Sequence, residues 1–385
     1  MANNNNTKNL NVPNLRFPEF KGEWKTAILG DIVKSISSGK TKLSEGEYNL
    51  YGSTGIIGRT PKPDYKGEML LVARVGANAG YLQLINEQCG ITDNTLIVVP
   101  TDVPTKYLYY FLLHFNLNRL VFGSGQPLIT GGMLKKIKVQ IGTKKEQDKI
   151  SNLLSLLDER ITTQNKIIEK LQSLIKGLID ALLENPSWEK AYLSSFMHFF
   201  STNSLSWEQL SYTEGEIRNL HYGLIHGFQT RGIDTAFLPK ILQSFVPKQY
   251  TLCQAGDVAF ADASEDTNEI GKAIEFISTI DSETVCGLHT IHGRDIKNKT
   301  LVGFKGYVFS SRYFHDQVRR LAQGTKVFSI TANNLSSCFV YIPELTKQKN
   351  IVNLLNAYEE LLSTNKMLLK QYEIQKSYLL QQMLI

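Results

Sequence analysis

The feature that most constrains how this 385-residue chain can fold is an internal repeat. The segment QDKISNLLSLLDERITTQNK, which begins at Gln147, aligns without a gap with QKNIVNLLNAYEELLSTNKM, which begins at Gln348. The same offset of 201 residues aligns positions upstream, such as Ile129 with Ile330. A repeat on this scale predicts one structural frame built twice, and therefore pseudo-twofold symmetry within the chain. The sequence between the matched positions diverges, so the modules carried by the frame are expected to differ.

Both copies of the repeated segment have the apolar spacing of a coiled coil. In the first copy, apolar residues recur at alternating steps of four and three from Ile150 through Leu178 to Leu182. In the second copy the same pattern begins at Ile351. Five heptads of this kind are typical of a coiled coil rather than of an ordinary amphipathic helix. The sequence therefore predicts two long helices, one at the end of each half of the chain.

A polar residue interrupts each apolar seam near its midpoint. The two residues are Gln164 in the first helix and Asn365 in the second. If the helices run antiparallel, the midpoints face each other, and the two amides can hydrogen-bond across the seam. A slipped register would place each amide against leucine, so the pair would specify the register at a cost in stability. The alternative interpretation is that both residues lie in a wet and tolerant part of the seam.

The segments that precede the helices have the pattern of globular modules with mixed structure. Short apolar or β-branched runs bounded by Gly, Asn or Ser predict strands, among them EMLLVA, DVAFADAS, KAIEFIST and GYVFSS. KYLYYFLLHFNLNRLV has helical spacing. We expect an α+β fold of two α/β modules and two long helices. The predicted divisions are a flexible N-terminal segment (1–16), a first module (17–143), a first helix (144–184), a second module (185–343) and a second helix (344–385).

Charge and cysteine content narrow the possible classes of protein. The net charge is +6, and the two helical segments contribute only 0 and +1, so an anionic partner is expected to contact the modules. The four cysteines form no C-x-x-C pair, which predicts ordinary buried thiols and no metal site. No apolar run is long enough to span a membrane, and the N-terminus has no apolar signal core. We therefore expect a cytoplasmic protein.

Several motifs resemble those of the DNA-specificity subunits of type I restriction–modification enzymes. NLRFPEFKGEW resembles the lead-in of such subunits, and PLITGGMLKKIKVQIGTKKEQDKISNLLSLLDERI resembles the end of a target-recognition domain followed by the first conserved helix. GDVAFADASEDTNEIGKA resembles a segment of some second recognition domains. The resemblance covers nearly the whole chain. Its helix and turn motifs are specific, whereas the modules match only in general pattern.

The resemblance implies a specificity subunit without catalytic activity of its own. Two target-recognition domains would each bind one half of a split, asymmetric site in double-stranded DNA. The two helices would form an antiparallel coiled coil that holds these domains apart. Two methyltransferase subunits, which use S-adenosylmethionine, would dock on this frame. Restriction subunits with motor and nuclease activity, which use ATP and Mg²⁺, would complete the assembly, and this chain would bind no cofactor itself.

Polar and basic side chains in glycine-rich loops are candidates for DNA contacts, because backbone can approach a groove there. Arginine paired with guanine and asparagine or glutamine paired with adenine are common direct contacts. In the first module the candidates are Lys40, Lys42, Tyr51, Ser53, Arg59, Lys62, Arg74 and Asn78. In the second module they are His221, Tyr222, His226, Gln229, Arg231, Arg294 and Lys326.

Motifs that would indicate an enzyme are incomplete or missing in this sequence. NPSW, at Asn185, lacks the second proline of the N-P-P-Y motif that holds a flipped adenine. PDYKGE, at Pro63, resembles the start of a nuclease carboxylate cluster, but no following (D/E)-x-K lies on a matching strand. The sequence contains no G-x-x-x-x-G-K-[ST] loop for ATP. Two alternatives remain: a coiled-coil scaffold with a non-DNA partner, and a specificity subunit of a related methyltransferase-only or fused system.

Overall fold

The chain divides into two compact units, each of which contains one module and one half of each long helix. The first unit contains the chain up to Lys166 together with the segment Lys366–Ile385. The second unit is Ile167–Asn365. The computed structural model describes residues 11–121, 127–227, 232–233, 235–278 and 283–385. Within these ranges, no helix is both long and apolar enough to cross a membrane.

The two repeated segments form the longest helices of the described chain. They are helical over 40 and 39 residues, which confirms the long helices predicted by the heptad pattern. Shorter helices lie within the modules. In chain order the α-helices are α1 (Thr105–Phe115), α2 (Gly131–Lys135), α3 (Lys144–Leu183), α4 (Leu193–Phe196), α5 (Tyr222–Gly227), α6 (Phe304–Val308), α7 (Arg312–Leu321), α8 (Ala332–Ser336) and α9 (Leu345–Met383).

In the first unit, α3 and α9 run antiparallel. Asp158 of α3 forms an ion pair with Lys376 of α9, with the two atoms 2.5 Å apart. Closer to the start of α3, Ile150 shares an apolar core with Leu384, which follows the end of α9. Positions closer to the start of α3 therefore pack against positions closer to the end of α9. This pairing and the mixed modules confirm the predicted α+β fold with an antiparallel coiled coil.

Near its C-terminal end, the seam of α3 departs from the predicted heptad positions. Ile175 is buried, and the next buried residues are Ile179 and Leu183. The predicted positions Leu178 and Leu182 are only half-buried. An α-helix with 3.6 residues per turn drifts relative to a strict 3.5-residue repeat, so two successive steps of four keep the buried stripe on one face.

The module of the first unit is built on a six-stranded sheet with the strand order β2-β7-β5-β6-β3-β4. Neighbouring strands are antiparallel except β3 and β6, which are parallel. A further strand, β1, pairs with β8 outside this sheet. The strands are β1 (Lys25–Ile28), β2 (Val33–Ser38), β3 (Tyr48–Gly52), β4 (Gly55–Thr60), β5 (Tyr65–Ala73), β6 (Leu82–Ile91), β7 (Thr95–Pro100) and β8 (Lys138–Ile141).

Both faces of this sheet are covered at β5. Leu70 and Val72 pack into the core that contains Tyr107 of α1, whereas Met69 and Leu71 pack into a second cluster on the other face. Successive side chains of a strand point to opposite faces, so a strand buried on both sides needs a continuous apolar run. The run MLLVA at the end of β5 supplies it.

The module of the second unit has a different architecture. Its main sheets have the orders β10-β19-β15-β17-β13 and β11-β14-β12-β18. The strands are β9 (Glu189–Tyr192), β10 (Met197–Phe200), β11 (Leu210–Ser211), β12 (Arg218–Leu220), β13 (Gly232–Ile233), β14 (Lys240–Ile241), β15 (Val258–Ala261), β16 (Ala263–Ser264), β17 (Ala273–Phe276), β18 (Thr284–Cys286), β19 (Thr290–Asp295), β20 (Phe328–Ser329) and β21 (Phe339–Ile342).

The frame that carries the modules is the same in both units. β1 pairs antiparallel with β8, the strand before α3, and β9 pairs in the same way with β21, the strand before α9. The short helices α2 and α8 begin with equivalent caps. Thr130 accepts a hydrogen bond from the backbone of Met133, and Thr331 accepts one from the backbone of Asn334. The repeat seen in the sequence is thus a repeat of structure.

One strand prediction in the second module is wrong. GYVFSS, which begins at Gly306, forms the end of α6 and the following turn rather than a strand. The buried carboxylate of Glu275 in β17 accepts hydrogen bonds from the backbone N–H groups of Gly303 (2.9 Å) and Gly306 (2.7 Å). A carboxylate at a helix N-terminus satisfies unpaired donors there. This long-range contact is invisible in local sequence propensity.

Candidate nucleic-acid interface

In the first module, the loop after β2, the β3–β4 hairpin and the loop after β5 meet at the turn between β6 and β7. Groups of this turn and the first residue of β7 bond to these segments at donor–acceptor distances of 2.9–3.3 Å. The residues that make these bonds are Gly39, Tyr51, Ser53 and Arg74. Lys40 directly follows Gly39, so the structure brings Lys40, Tyr51, Ser53 and Arg74 near this turn. Four of the candidate residues of this module therefore form a contiguous group.

Arg74 is the residue of this group with an unsatisfied donor. Its backbone is fixed on both sides, since its N–H donates to Asn94 (2.9 Å) and its carbonyl accepts from Ile129 (2.8 Å). Its buried Nε has no hydrogen-bond partner in the part of the chain that the structure describes. A buried donor left without a partner costs about 1–3 kcal/mol, and the planar guanidinium is suited to guanine or phosphate. Asn78 lies exposed on the same loop.

Tyr51 has a partner within the protein. Its hydroxyl donates to the carboxylate of Glu87, which also accepts from the side chain of Asn49 (3.0 Å). Burial and the hydrogen bond to Glu87 raise the pKa of Tyr51 well above its usual range. The ring therefore stays neutral, and its hydroxyl is oriented away from other acceptors.

The other candidates of the first module lie at the far end of the β3–β4 hairpin. Lys42, Arg59 and Lys62 are exposed there, and Arg59 donates to the carbonyl of Glu47 (3.0 Å). Ile56 and Ile57 lie nearer the turn of this hairpin on β4, and each is 55% exposed. They were not selected from the sequence, although exposed aliphatic side chains suit contact with thymine methyl groups.

In the second module, aromatic and histidine rings form a cluster at the ends of β12 and β18. The ring of His221 lies 4.5 Å from that of Trp207 and 4.8 Å from that of Tyr222. The ring of Tyr222 in turn lies 5.1 Å from that of His289. His221 is only 3% exposed, whereas Trp207 is 44% exposed. His221 therefore supports the exposed rings around it.

One hydrogen bond of His221 indicates which of its ring nitrogens carries the proton. Its Nδ1 accepts from the backbone N–H of Gly223 (3.2 Å). Burial, followed by the nearby charge of His289, lowers the pKa of His221 below its ordinary value. The imidazole is thus neutral near pH 7, with its remaining proton on Nε2.

The remaining candidates of the second module are dispersed. His226 contacts Glu269 and the carbonyl of Ala263, and Lys326 is exposed before β20. Arg294 donates to both carboxylate oxygens of Asp257, at 2.8 and 2.6 Å. These bonds raise the pKa of Arg294 and fix its guanidinium within the module. Two further candidates, Gln229 and Arg231, lie outside the described residues.

Trp207 and His289 are members of the ring cluster that the sequence analysis did not select as DNA contacts. His289 has φ +56°, a left-handed conformation that non-glycine residues seldom adopt, and its Nδ1 lies 3.1 Å from Asp262. Residues held in such conformations cluster at functional sites. The sequence offered no signal for this backbone conformation.

The described residues contain one group of side chains whose ligand atoms lie close enough to hold a metal ion. The group consists of Cys253, Cys286 and His292 in the second unit. All four cysteines are buried and free. The sequence predicted ordinary buried thiols, because these three residues lie far apart along the chain and form no metal-binding motif.

Comparison with known proteins identifies relatives of the chain. Residues 21–173 match the family model of the type I restriction modification DNA specificity domain. The chain is 25% identical to the type I restriction enzyme MjaVIII specificity subunit of Methanocaldococcus jannaschii, over 93% of this chain and 91% of that protein. It is 30% identical over 169 residues to the putative type I specificity subunit S.MgeORF438P of Mycoplasma genitalium, which covers 40% of this chain and 43% of that protein.

Solved structures share the fold along almost the whole chain. The crystal structure of a type I restriction–modification S subunit from M. genitalium has a TM-score of 0.63 at 17% identity, over 97% of this chain and 99% of that one. A chain from a study of complex assembly in the type I system has a TM-score of 0.58 at 13% identity, over 94% and 97%. Residues 21–173 thus match a type I restriction modification DNA specificity domain, and the chain is similar to a type I specificity subunit over nearly its full length.

Proposed function

We propose that this chain is the sequence-reading subunit of a type I system and recognises a split, asymmetric DNA site. Each module reads one half-site, and the two long helices set the spacing between the half-sites. The observation that carries the proposal is a repeated frame with unlike modules. β1–β8 and β9–β21 match, whereas the sheets between them differ in strand order. Different readers on one frame suit two different half-sites on a duplex with a near-twofold backbone.

The chemistry of modification and cleavage belongs, in this proposal, to partner subunits. Two methyltransferase subunits bring S-adenosylmethionine, and motor–nuclease subunits bring ATP and Mg²⁺. The chain itself contributes no catalytic group. The absence of a methyl-donor loop and of an ATP loop from the sequence supports this division of labour.

The test is to assemble the full chain with its methyltransferase subunits and to sequence the methylated DNA. The expected result is N6-methyladenine within one split motif with a spacer of constant length. Omission of this chain should abolish the sequence preference. Methylation without a common motif, or with a motif that is unchanged when this chain is omitted, would refute the proposal.

A further inference from the structure

Three buried side chains from distant segments of the second unit meet at one point. Cys253 precedes β15, Cys286 ends β18 and His292 lies in β19. Their ligand atoms all lie within 4.8 Å of one another. The side chains are 5%, 3% and 1% exposed, respectively. Two thiols and an imidazole are a ligand set that favours zinc over hard cations.

The distance between the two sulfur atoms fits a shared metal ion. Cys253 Sγ and Cys286 Sγ are 3.6 Å apart. Two thiolates on a tetrahedral zinc ion, with Zn–S bonds of about 2.3 Å, have their sulfur atoms about 3.8 Å apart. A disulfide would need a separation of about 2.05 Å. The pair is therefore spaced for coordination and is not covalently joined.

A carboxylate holds the histidine of this group in place. His292 Nε2 lies 2.7 Å from Oδ2 of Asp257, whose side chain is 2% exposed. Asp257 is itself fixed by Arg294 and by the backbone N–H of Gln254. Metal-binding histidines usually donate their second ring nitrogen to such a carboxylate, which leaves the other nitrogen with a free lone pair.

The charges of the group also suit a divalent cation. A metal ion displaces the thiol protons to solvent, and two thiolates then neutralise its two positive charges. The fully coordinated group of Zn²⁺, two thiolates and a neutral imidazole would carry no net charge.

A cavity of about 380 Å³ adjoins the group. Cys286 and His292 both line it, together with polar residues that include Asn203 and Thr251. Asn203 Nδ2 donates to the carbonyl of Cys286 (3.2 Å), which links the cavity wall to β18. A water molecule in this cavity can supply the fourth ligand that tetrahedral zinc requires.

We propose that Cys253, Cys286 and His292 bind one Zn²⁺ ion, with a water molecule from the adjoining cavity as the fourth ligand and Asp257 as the positioning residue for His292. The ion ties β18 and β19 to the segment before β15. The inference does not depend on the proposed function, because it rests on the interior of one module. It differs from the expectation from the sequence that the chain binds no metal.

The first experiment measures zinc in the full chain after dialysis against metal-free buffer under reducing conditions. Elemental analysis is expected to give about one zinc ion per chain, as for a single tetrahedral site. Cys253→Ser and Cys286→Ser should each lose the metal, whereas the matched controls Cys89→Ser and Cys338→Ser, which also replace buried thiols, should retain it. The proposal is overturned if the wild type retains no zinc, or if Cys253→Ser and Cys286→Ser retain as much zinc as the two control variants.

The second experiment guards against loss of metal through misfolding. Co²⁺ in the wild type should give thiolate-to-cobalt charge-transfer absorption, and Cys286→Ser should weaken this band while circular dichroism shows an intact fold. Asp257→Asn retains all three ligands and is expected to bind zinc about 10–100-fold more weakly in competition with a chelator. A wild-type cobalt spectrum without thiolate bands would refute the site, and an unchanged zinc affinity in Asp257→Asn would refute the positioning role.

Discussion

Gln147 and Gln348, which occupy equivalent positions in the repeat, make the same contact at the start of α3 and α9. Each is buried, and each donates from its side-chain amide to a carbonyl five residues upstream, that of Gly142 (2.8 Å) or Pro343 (2.9 Å). Backbone carbonyls that are shielded from water need such partners. The identity of the two glutamines in the sequence therefore reflects the junction between module and helix.

The two glutamines differ in how many hydrogen bonds their side chains make. Gln348 also donates to Lys299 (2.8 Å) and accepts from Leu301 (2.8 Å), whereas the Oε1 of Gln147 has no partner among the described residues. Gln348→Ala should therefore lower the free energy of unfolding by about 2–3 kcal/mol, and Gln147→Ala by about 1 kcal/mol. Urea unfolding followed by circular dichroism checks the difference, with the exposed Gln371→Ala as control. Equal losses would contradict the assigned bonding.

Arg74 and Lys62 are expected to contribute differently to DNA binding. Arg74→Ala should weaken binding of the assembled complex to its own site by about 1–3 kcal/mol, because a guanidinium on a fixed backbone can read a base. The exposed Lys62→Ala should weaken binding to all sequences alike and reduce the slope of affinity against salt by about one. Fluorescence anisotropy at several salt concentrations, on specific and scrambled duplexes, separates the two effects. If Arg74→Ala weakens binding to both duplexes equally, it does not read a base.

At the scale of single residues, the sequence predicted which residues lie at the candidate site better than it predicted the contacts that they make. Lys40, Ser53 and Arg74 were selected from separate glycine-rich loops, and the structure places all three near the turn between β6 and β7. The pairing of Arg294 with Asp257 and the burial of His221 could not be predicted. Both depend on strands that are paired only after the chain has folded, and no local pattern encodes those pairs.

At the scale of elements, the heptad pattern predicted α3 and α9 well because it extends over about ten turns of helix. Shorter elements were less predictable. The helical pattern of KYLYYFLLHFNLNRLV is interrupted at Asn116, which adopts φ 57° and ends α1 at Phe115. The mistaken strand at GYVFSS shows the same limitation, since Glu275 is distant in sequence from the helix end that it stabilises.

The polar seam residues Gln164 and Asn365 remain a prediction about register. Gln164 is 5% exposed, and the side-chain amide of Asn365 donates to the carbonyl of Leu361 (2.7 Å). Replacing both residues with leucine should raise the urea midpoint and permit slipped registers, since polar seam residues select register at a cost in stability. A short crosslinker between cysteines introduced for Asp158 and Lys376 reports the native register. Crosslinking at the wild-type yield in the double variant would contradict a role in register.

At the scale of the whole molecule, histidines that are buried or half-buried in the two units link stability to pH. Burial lowers the pKa of His114, His221 and His315 below the ordinary value of 6.5. In the window below pH 6.5 the unfolded chain therefore binds more protons than the folded chain. Stability is fully present above pH 6.5 and declines as the pH falls below it, by at most about 1.4 kcal/mol per pH unit for each histidine.

His315 offers the cleanest test of this linkage, because its buried Nε2 has no hydrogen-bond partner among the described residues. His315→Gln should reduce the loss of unfolding free energy between about pH 7 and pH 5. The exposed His198→Gln serves as control. Urea unfolding at a series of pH values provides the measurement, and a slope that matches the wild type would exclude His315 as a contributor.

The two modules of the molecule are expected to recognise their half-sites independently. The frame strands and caps repeat, but the sheets differ, and each module lies in its own compact unit. Replacing residues 185–343 with the corresponding module of another specificity subunit should therefore change one half-site and leave the other half-site and the spacer unchanged. The reciprocal exchange of 17–143 should change the opposite half-site. Methylation sequencing of the assembled complexes reads both outcomes, and a simultaneous change in both half-sites would mean that the modules do not read DNA independently.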